Sequence, residues 1–308
     1  MPRYFLGVDG GGTNCRIRLA DETLTTLADA GGGRSNLQID GGEPAYRSIN
    51  EGTREVFAKA GIDIAEAANT HACFGMAGGR LESSRQAFEQ RPWPFAGVKV
   101  FDDIDIARAG AHGGEDGAVI IVGTGSAALA MVDGTRHQCG GWGFHVGDQM
   151  SGAILGRELV RRTVEATDGL VSGSPLTEAV LQKFGGSVDA IMDWSFPKDD
   201  KPSSPPTSGA PNTLLGRAPA EFGALMPMFF DFFEKGDAVA KELMELQLSF
   251  IDNYVRWFKA RGVAKMAAVG GFGTRLYPLM EARYGDFIVR PQHEPLHGAV
   301  ILAKQIFA

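Results

Sequence analysis

A chain of 308 residues, 44% hydrophobic and 22% charged, is long enough for one large domain or two ordinary ones with substantial cores. A net charge of −7, with no dense Lys/Arg run, argues against nucleic acid or an anionic membrane as the main partner. Three cysteines, Cys15, Cys73 and Cys139, are too scattered for a CxxC pair or a zinc-ligand spacing.

A reducing cytoplasm fits that cysteine usage, and the N-terminus lacks the layout of a signal peptide. The longest uncharged stretch, Gly117 to Val132, holds Gly-Thr-Gly-Ser at its centre and reads as two strands around a turn, not a membrane span. The anomaly is 42 glycines, many of them clustered.

The first cluster follows an apolar strand at once: Asp9-Gly10-Gly11-Gly12-Thr13-Asn14, with a second strand from Cys15 to Ala20. Consecutive glycines between strands carry an entropic cost, which close approach of bare N–H groups to an anion would justify. An ordinary glycine-rich hairpin is the bland alternative. A third apolar segment near Leu24 to Ala28 precedes a glycine-rich loop, residues 31–36. Helical spacing of Ala45, Ile49, Val56 and Phe57 predicts a helix from Glu43 to Ala60. His71 to Met76 and Val98 to Phe101 read as strands, the latter running into Asp102, Asp103 and Asp105 and an alanine-rich helix.

The same grammar then restarts. Ala118 to Val122 is a strand, Gly123-Thr124-Gly125-Ser126 a turn, and Ala127 to Val132 a returning strand, a weak internal duplication. Helices are expected at Gly152–Ala166, Leu176–Phe184 and Ala224–Arg261, with a surface loop at Pro197–Pro219. A strand, Met266 to Val269, enters Gly270-Gly271-Phe272-Gly273, and His297 to Phe307 closes the chain as a helix. Gly123 to Ala128 matches G-x-G-x-x-A, but a strand follows where a dinucleotide site needs a helix. No GK[ST] follows any glycine run, which excludes a P-loop.

Two glycine hairpins and a late glycine turn, at Asp9–Thr13, Gly123–Ser126 and Gly270–Gly273, resemble the nucleotide site of the actin, hexokinase and heat-shock chaperone ATPase superfamily. The run Gly140-Gly141-Trp142-Gly143 followed by Gly147-Asp148-Gln149-Met150-Ser151-Gly152 is similar to the N-acetylglucosamine kinase and glucosamine kinase family. The wider group includes ATPases that activate benzoyl-CoA reductase. The resemblance implies an α/β, two-lobed, ribonuclease H-like duplicated fold with an interlobe cleft. Residues 1–115 plus 297–308 would form one lobe and 116–296 the other.

The same resemblance implies ATP and Mg²⁺, a small amino sugar as substrate, and a cytoplasmic homodimer. Asp9 would help hold Mg²⁺ through water, and Gly11, Gly12, Thr13, Thr124 and Gly125 would bind the phosphates. Gly270, Gly271 and Gly273 would receive adenosine. Asp103 would be the catalytic base, with Asn36, Thr124, Trp142 and Asp148 contacting the sugar. Asp102 is an alternative base, because a one-residue slip reverses strand facing. Asp105 is expected at the surface, Trp142 could instead be core, and His145 is expected to be structural.

Ala127 replaces an Asn that some N-acetylglucosamine kinases carry after the second turn, which leaves glucosamine or another hexose open as acceptor. A redox-enzyme activator would need four cluster thiolates, two from each subunit of a dimer. A non-catalytic sugar sensor would have no need of Asp9, Thr13 and Asp103 together.

Overall fold

In a computed structural model, whose described residues are 4–196 and 216–308, the chain builds the same five-stranded sheet twice. The first sheet begins with β1 (Tyr4–Gly10), β2 (Cys15–Ala20) and β3 (Thr26–Gly32), an antiparallel meander. Helix α1 (Glu43–Ala60) leads to β4 (Thr70–Met76), then α2 (Glu82–Glu89), β5 (Gly97–Asp102) and α3 (Asp103–Ala111). Strands β4 and β5 add in parallel beside β1, giving the order β3-β2-β1-β4-β5.

The second sheet repeats the plan. Strands β6 (Gly117–Val122), β7 (Ser126–Val132) and β8 (Thr135–Gly140) form the meander. Helices α4 (Gly152–Thr167), α5 (Pro175–Lys183), α6 (Val188–Ser195), α7 (Pro219–Gly223), α8 (Met226–Glu234) and α9 (Ala238–Lys259) follow. Then come β9 (Met266–Val269), α10 (Gly271–Tyr284), β10 (Ile288–Val289) and α11 (Pro295–Phe307). The order β10-β9-β6-β7-β8 matches that of the first sheet strand for strand. The weak repeat in the sequence is therefore a repeat of topology.

Both central strands are apolar on both faces, because each sheet is covered on both sides. In the first sheet, Leu6, Val8 and Phe74 pack under α1 with Ile49, Val56 and Phe57. On its other face Phe5 and Cys73 meet Ile106 and Ala109 of α3 and Ala299, Val300 and Ala303 of α11. In the second sheet, Ile120, Val122 and Ala128 pack with Leu155 and Leu159 of α4 and Leu248 and Ile251 of α9. Ile104, at the start of α3, buries against Val119 and Leu129 of the second sheet. Helix α3 thus anchors in both sheets.

Helices α3 and α11 cross at glycines. A Cβ on Gly298 would lie 2.0 Å from the Ile106 carbonyl oxygen, and one on Gly110 would lie 2.5 Å from that of Glu294. Backbone meets backbone there, and no side chain larger than hydrogen fits.

Several sequence expectations need correction. The helix expected over Ala224–Arg261 is broken at Gly236, whose φ is +85°, and Asp237 starts a new helix. The Asp237 carboxylate accepts the Ala240 N–H at 3.0 Å and also takes the Ser174 hydroxyl at 2.9 Å, so the break also ties down α5. The third strand begins at Thr26, not Leu24, because Leu24 turns at φ +67°. Helices α2 and α6 were not foreseen, and neither was β8, whose sequence Thr-Arg-His-Gln-Cys-Gly has little apolar content. Most of the loop expected at Pro197–Pro219 lies outside the described residues, and Pro219 itself opens α7. Among the described residues, no helix is long and apolar enough to cross a membrane.

Replacing Gly298 by Val should cost roughly 1–3 kcal/mol or more, because it overpacks the crossing where nothing can yield except backbone. Urea unfolding of the variant should show a lower midpoint with an unchanged slope; an unchanged midpoint would refute the crossing as described.

Candidate active site

The C-terminal ends of β1, β4 and β5 and the two meander turns bring most of the predicted residues together. In the first turn Gly11 donates its N–H to the Asn14 carbonyl at 2.8 Å, while Gly12, Thr13 and Asn14 stay exposed. Gly12 has an ordinary φ, and a Cβ built on it meets nothing within 4 Å. Nothing in the described chain requires glycine there, so the bare backbone suits something that approaches from outside.

The second turn is closed by the Gly123 N–H to the Gly125 carbonyl at 3.0 Å, and the Gly152 N–H bonds the Gly123 carbonyl at 2.9 Å. Thr124 is exposed at its tip. The late glycine cluster divides by role. Gly270, at φ +93°, lies so close to Val122 that a Cβ would be 2.6 Å from its carbonyl oxygen. Gly271 opens α10 and faces open space, like Gly12, while Gly273 packs at ordinary distance on Val122.

Between the turns lies an acidic cluster. Asp9, near the end of β1, accepts an N–H from Arg16 at 2.6 Å, and Arg16 also reaches Glu294 at 2.6 Å. Asp102 ends β5; its buried carboxylate takes the Gln138 side-chain N–H at 3.0 Å, and burial raises its pKa. Asp103 is the first residue of α3 and is only partly buried.

Burial, then the charges of Asp102, Asp9 and Asp105, push the Asp103 carboxyl up to about 7, against the opposing Ile104 N–H. Among the described residues no cation pairs with it. Asp105, expected at the surface, is instead buried and bidentate to Arg136 at 2.7 and 2.9 Å. Position 105 is one helical turn beyond Asp102, so both face β8. Of the two candidate bases, Asp103 is the less buried one and the one with no side-chain partner among the described residues.

Asn36 lies beside this cluster. Its side-chain oxygen accepts the Gln38 N–H at 2.8 Å and would sit 2.4 Å from a Cβ on Gly78. The Ala77 N–H bonds the Gly10 carbonyl at 2.7 Å and the Leu37 N–H bonds the Ala77 carbonyl at 3.0 Å, stitching Asn36 to the first turn. On the opposite side, Asp148 is buried at φ +58°, and the backbone N–H groups of Ser126 and Gly143 point at its carboxylate. Burial still raises its pKa. The strained backbone and two inward N–H groups fix this carboxylate against the second turn.

Trp142 is 64% exposed, which removes the core reading, and the Arg80 guanidinium lies 4.0 Å over its ring. Arg80 follows Gly79, whose backbone packs on Asp102, so this contact joins the two sides of the site. His145 is exposed beside the Phe144 ring. Arg80, Arg136 and Gln138 were missed by sequence reasoning; β8 has no apolar periodicity to reveal it, and lone polar residues carry no motif.

A model of the BadF/BadG/BcrA/BcrD ATPase family matches residues 6–303. The chain belongs to this family. This family member is 29% identical to the glucosamine kinase GspK of Vibrio cholerae, over 97% of its own length and 95% of that protein. It is 27% identical to an N-acetyl-D-glucosamine kinase of Dictyostelium discoideum, covering 78% and 74% of the two chains. A solved structure assigned as an N-acetylglucosamine kinase from Chromobacterium violaceum superposes with TM-score 0.79 at 31% identity, covering 98% and 99%. A glucokinase from Streptomyces griseus, solved with glucose and AMPPNP, shares the two-lobed fold at TM-score 0.57 and 18% identity.

For an ATPase with this turn, Gly12→Val separates folding from nucleotide binding. Unfolding free energy should change by no more than about 0.5 kcal/mol, since the side chain enters open space. ATP affinity measured by calorimetry should fall at least about tenfold. Wild-type affinity would remove Gly12 from the nucleotide site.

Proposed function

We propose that the chain is an ATP-dependent hexosamine kinase that transfers the γ-phosphate to the 6-hydroxyl of N-acetylglucosamine or glucosamine. The observation that carries this reading is Asp103: a partly buried carboxylate with no cationic partner among the described residues, its pKa pushed up to about 7, set between two glycine turns. Phosphoryl transfer demands mainly in-line positioning and neutralisation of charge, so one carboxylate suffices for the acceptor proton. Asp103 accepts that proton as the sugar oxygen attacks. Its tuning toward neutrality matches the general rule that a base works best when its pKa lies near the operating pH.

Gly11, Gly12 and Thr13 hold the phosphates from one side and Thr124 and Gly125 from the other, while Gly271 leaves room for adenosine beside Gly270 and Gly273. Asn36, Asp148 and Thr124 hydrogen-bond the sugar, and Trp142 offers it an apolar face. Mg²⁺ takes few protein carboxylates and relies on phosphate oxygens and water, so the single Asp9 carboxylate beside the open first turn suits it. When bound there, the ion would neutralise charge on the transferring phosphoryl group. The lobes, residues 1–115 plus 297–308 and residues 116–296, close on the sugar to exclude water. A cytoplasmic homodimer completes the reading.

The redox-activator alternative lacks presented thiolates. Cys15 and Cys73 are buried in the first sheet, Cys139 lies in the second, and burial pushes Cys15 and Cys139 up to about 11. Purified protein containing iron would reopen it.

An ADP-release screen over glucosamine, N-acetylglucosamine and glucose tests the activity, and a response to none of them would end the proposal. Asp103→Asn should lower kcat by about 10²–10⁴-fold. Because the proton stays on Asp103 below about pH 7, kcat/KM of the wild type should rise with pH and level off above that value.

The same raised pKa makes a stability prediction. Folded Asp103 binds its proton more tightly than the unfolded chain does. Its ionisation therefore costs no folding energy below about pH 3.8, a growing amount from there to about pH 7, and the full amount above. Asp103→Asn should be more stable than wild type at pH 8, by about 1 kcal/mol or more, with the gain vanishing at pH 4. Thermal unfolding at both pH values measures the difference.

A further inference from the structure

We propose that Arg136 and Gln138 on β8 are positioning residues, which hold the Asp103-bearing end of α3 in register with the second glycine turn. The proposal rests on the reading of Asp103 as the base. It starts from two periodicities that meet. Residues 136 and 138 share one face of a strand, and residues 102 and 105 share one side of a helix start.

The contacts form a closed circuit. Arg136 donates two N–H groups to Asp105, at 2.7 and 2.9 Å, and a third to the Gln138 side-chain oxygen at 2.8 Å. Gln138 in turn donates to Asp102 at 3.0 Å. Asp103 lies between the two gripped carboxylates and is not itself gripped. From β8 the path to the second turn is short, because Gly140 pairs with Ala127 and the Gly141 N–H bonds the Ser126 carbonyl at 3.0 Å. The start of α3 and the second turn are thus linked through one strand of the second sheet.

Ordinary stabilisation accounts poorly for this arrangement. Asp105 is buried while Arg136 is exposed, so the carboxylate is desolvated but its attraction to the cation is screened by solvent, and such a pair adds little stability. Ile104, packed against Val119 and Leu129, already supplies apolar adhesion at this point. What a hydrophobic contact lacks is direction. A bidentate guanidinium fixes distance and angle together, and displacement of a reacting group by about 1 Å can cost about 100-fold in rate.

The test compares Arg136→Met, Arg136→Lys and Gln138→Leu with wild type at saturating ATP and N-acetylglucosamine or glucosamine, whichever turns over. Arg136→Met should lower kcat by about 10–100-fold while KM for sugar and for ATP stays within about threefold. Arg136→Lys keeps the charge without the fork, and its kcat should still fall at least about fivefold. Gln138→Leu should fall in the same direction, by more than its loss of folded fraction explains, since it also removes a hydrogen bond from the buried Asp102 carboxylate.

Wild-type kcat in both Arg136→Lys and Gln138→Leu would overturn the proposal. So would kcat losses that only track the folded fraction, which circular dichroism reports. Should Arg136→Met fail to fold, the other two variants still decide the question. Asp103→Asn, run in parallel, separates the two readings. If it keeps wild-type kcat, the base is misassigned. If it is inactive while Arg136→Lys and Gln138→Leu are normal, only the positioning role falls.

Discussion

The glycine crossing of α3 and α11 is the contact on which the rest of the structure depends. Gly298 and Gly110 let two backbones approach so closely that the helices act as a single pin between the sheets. Helix α11, at the end of the chain, lies on the first sheet with Val300 against Gly7 of β1. Helix α3 ends the first repeat yet sends Ile104 into the second sheet. A chain that repeats one sheet topology twice needs some element to relate the copies, and this pair does so. It also sets where the first turn of α3 points, and so where Asp103 stands.

Electrostatics at that turn follow from the same packing. Three aspartates within four positions would repel one another strongly in a site of low polarity. The structure divides them by giving two of them partners. Asp105 is matched by Arg136, and Asp102 is hydrogen-bonded by Gln138. Burial and the neighbouring charges of Asp102, Asp9 and Asp105 push the Asp103 carboxyl up toward neutrality, while Asp9 is paired with Arg16. An acidic cluster thus leaves one carboxylate with a raised pKa between two neighbours that have partners. The helix start helps in the opposite sense, since its backbone N–H groups favour a negative charge.

Local signals were the most legible. Helix α1 spans the residues its apolar spacing predicts, and both glycine turns lie where the strand-turn-strand pattern places them. Asn36, Asp103, Trp142 and Asp148 could be named because family motifs carry them. Their surroundings could not. Asp105 reads as a solvated aspartate until β8 is seen beside it, and Trp142 could equally have been core. Strand β8 itself is polar, so its partner β7 and not its own pattern makes it a strand. Gly236 and Asp237 look like an incidental pair in a long helical stretch, yet together they end one helix and begin another.

By itself the sequence determined the repeated grammar and the glycine positions, because these depend on neighbours a few residues apart, and a family resemblance narrowed the candidate base to Asp103, with Asp102 as the alternative. Turn geometry and helical spacing are local properties, and they are written in consecutive side chains. Only the tertiary structure decided which aspartates gain side-chain partners. That depends on partners 31 and 36 residues away in the chain, the Arg136 cation for Asp105 and the uncharged Gln138 amide for Asp102. It also separated glycines that the fold requires from glycines that face open space. Gly298 and Gly270 are held by backbone brought from distant segments, whereas Gly12 and Gly271 face open space. Long-range proximity has no signature in a single sequence, and here it is proximity that turns an acidic motif into a site.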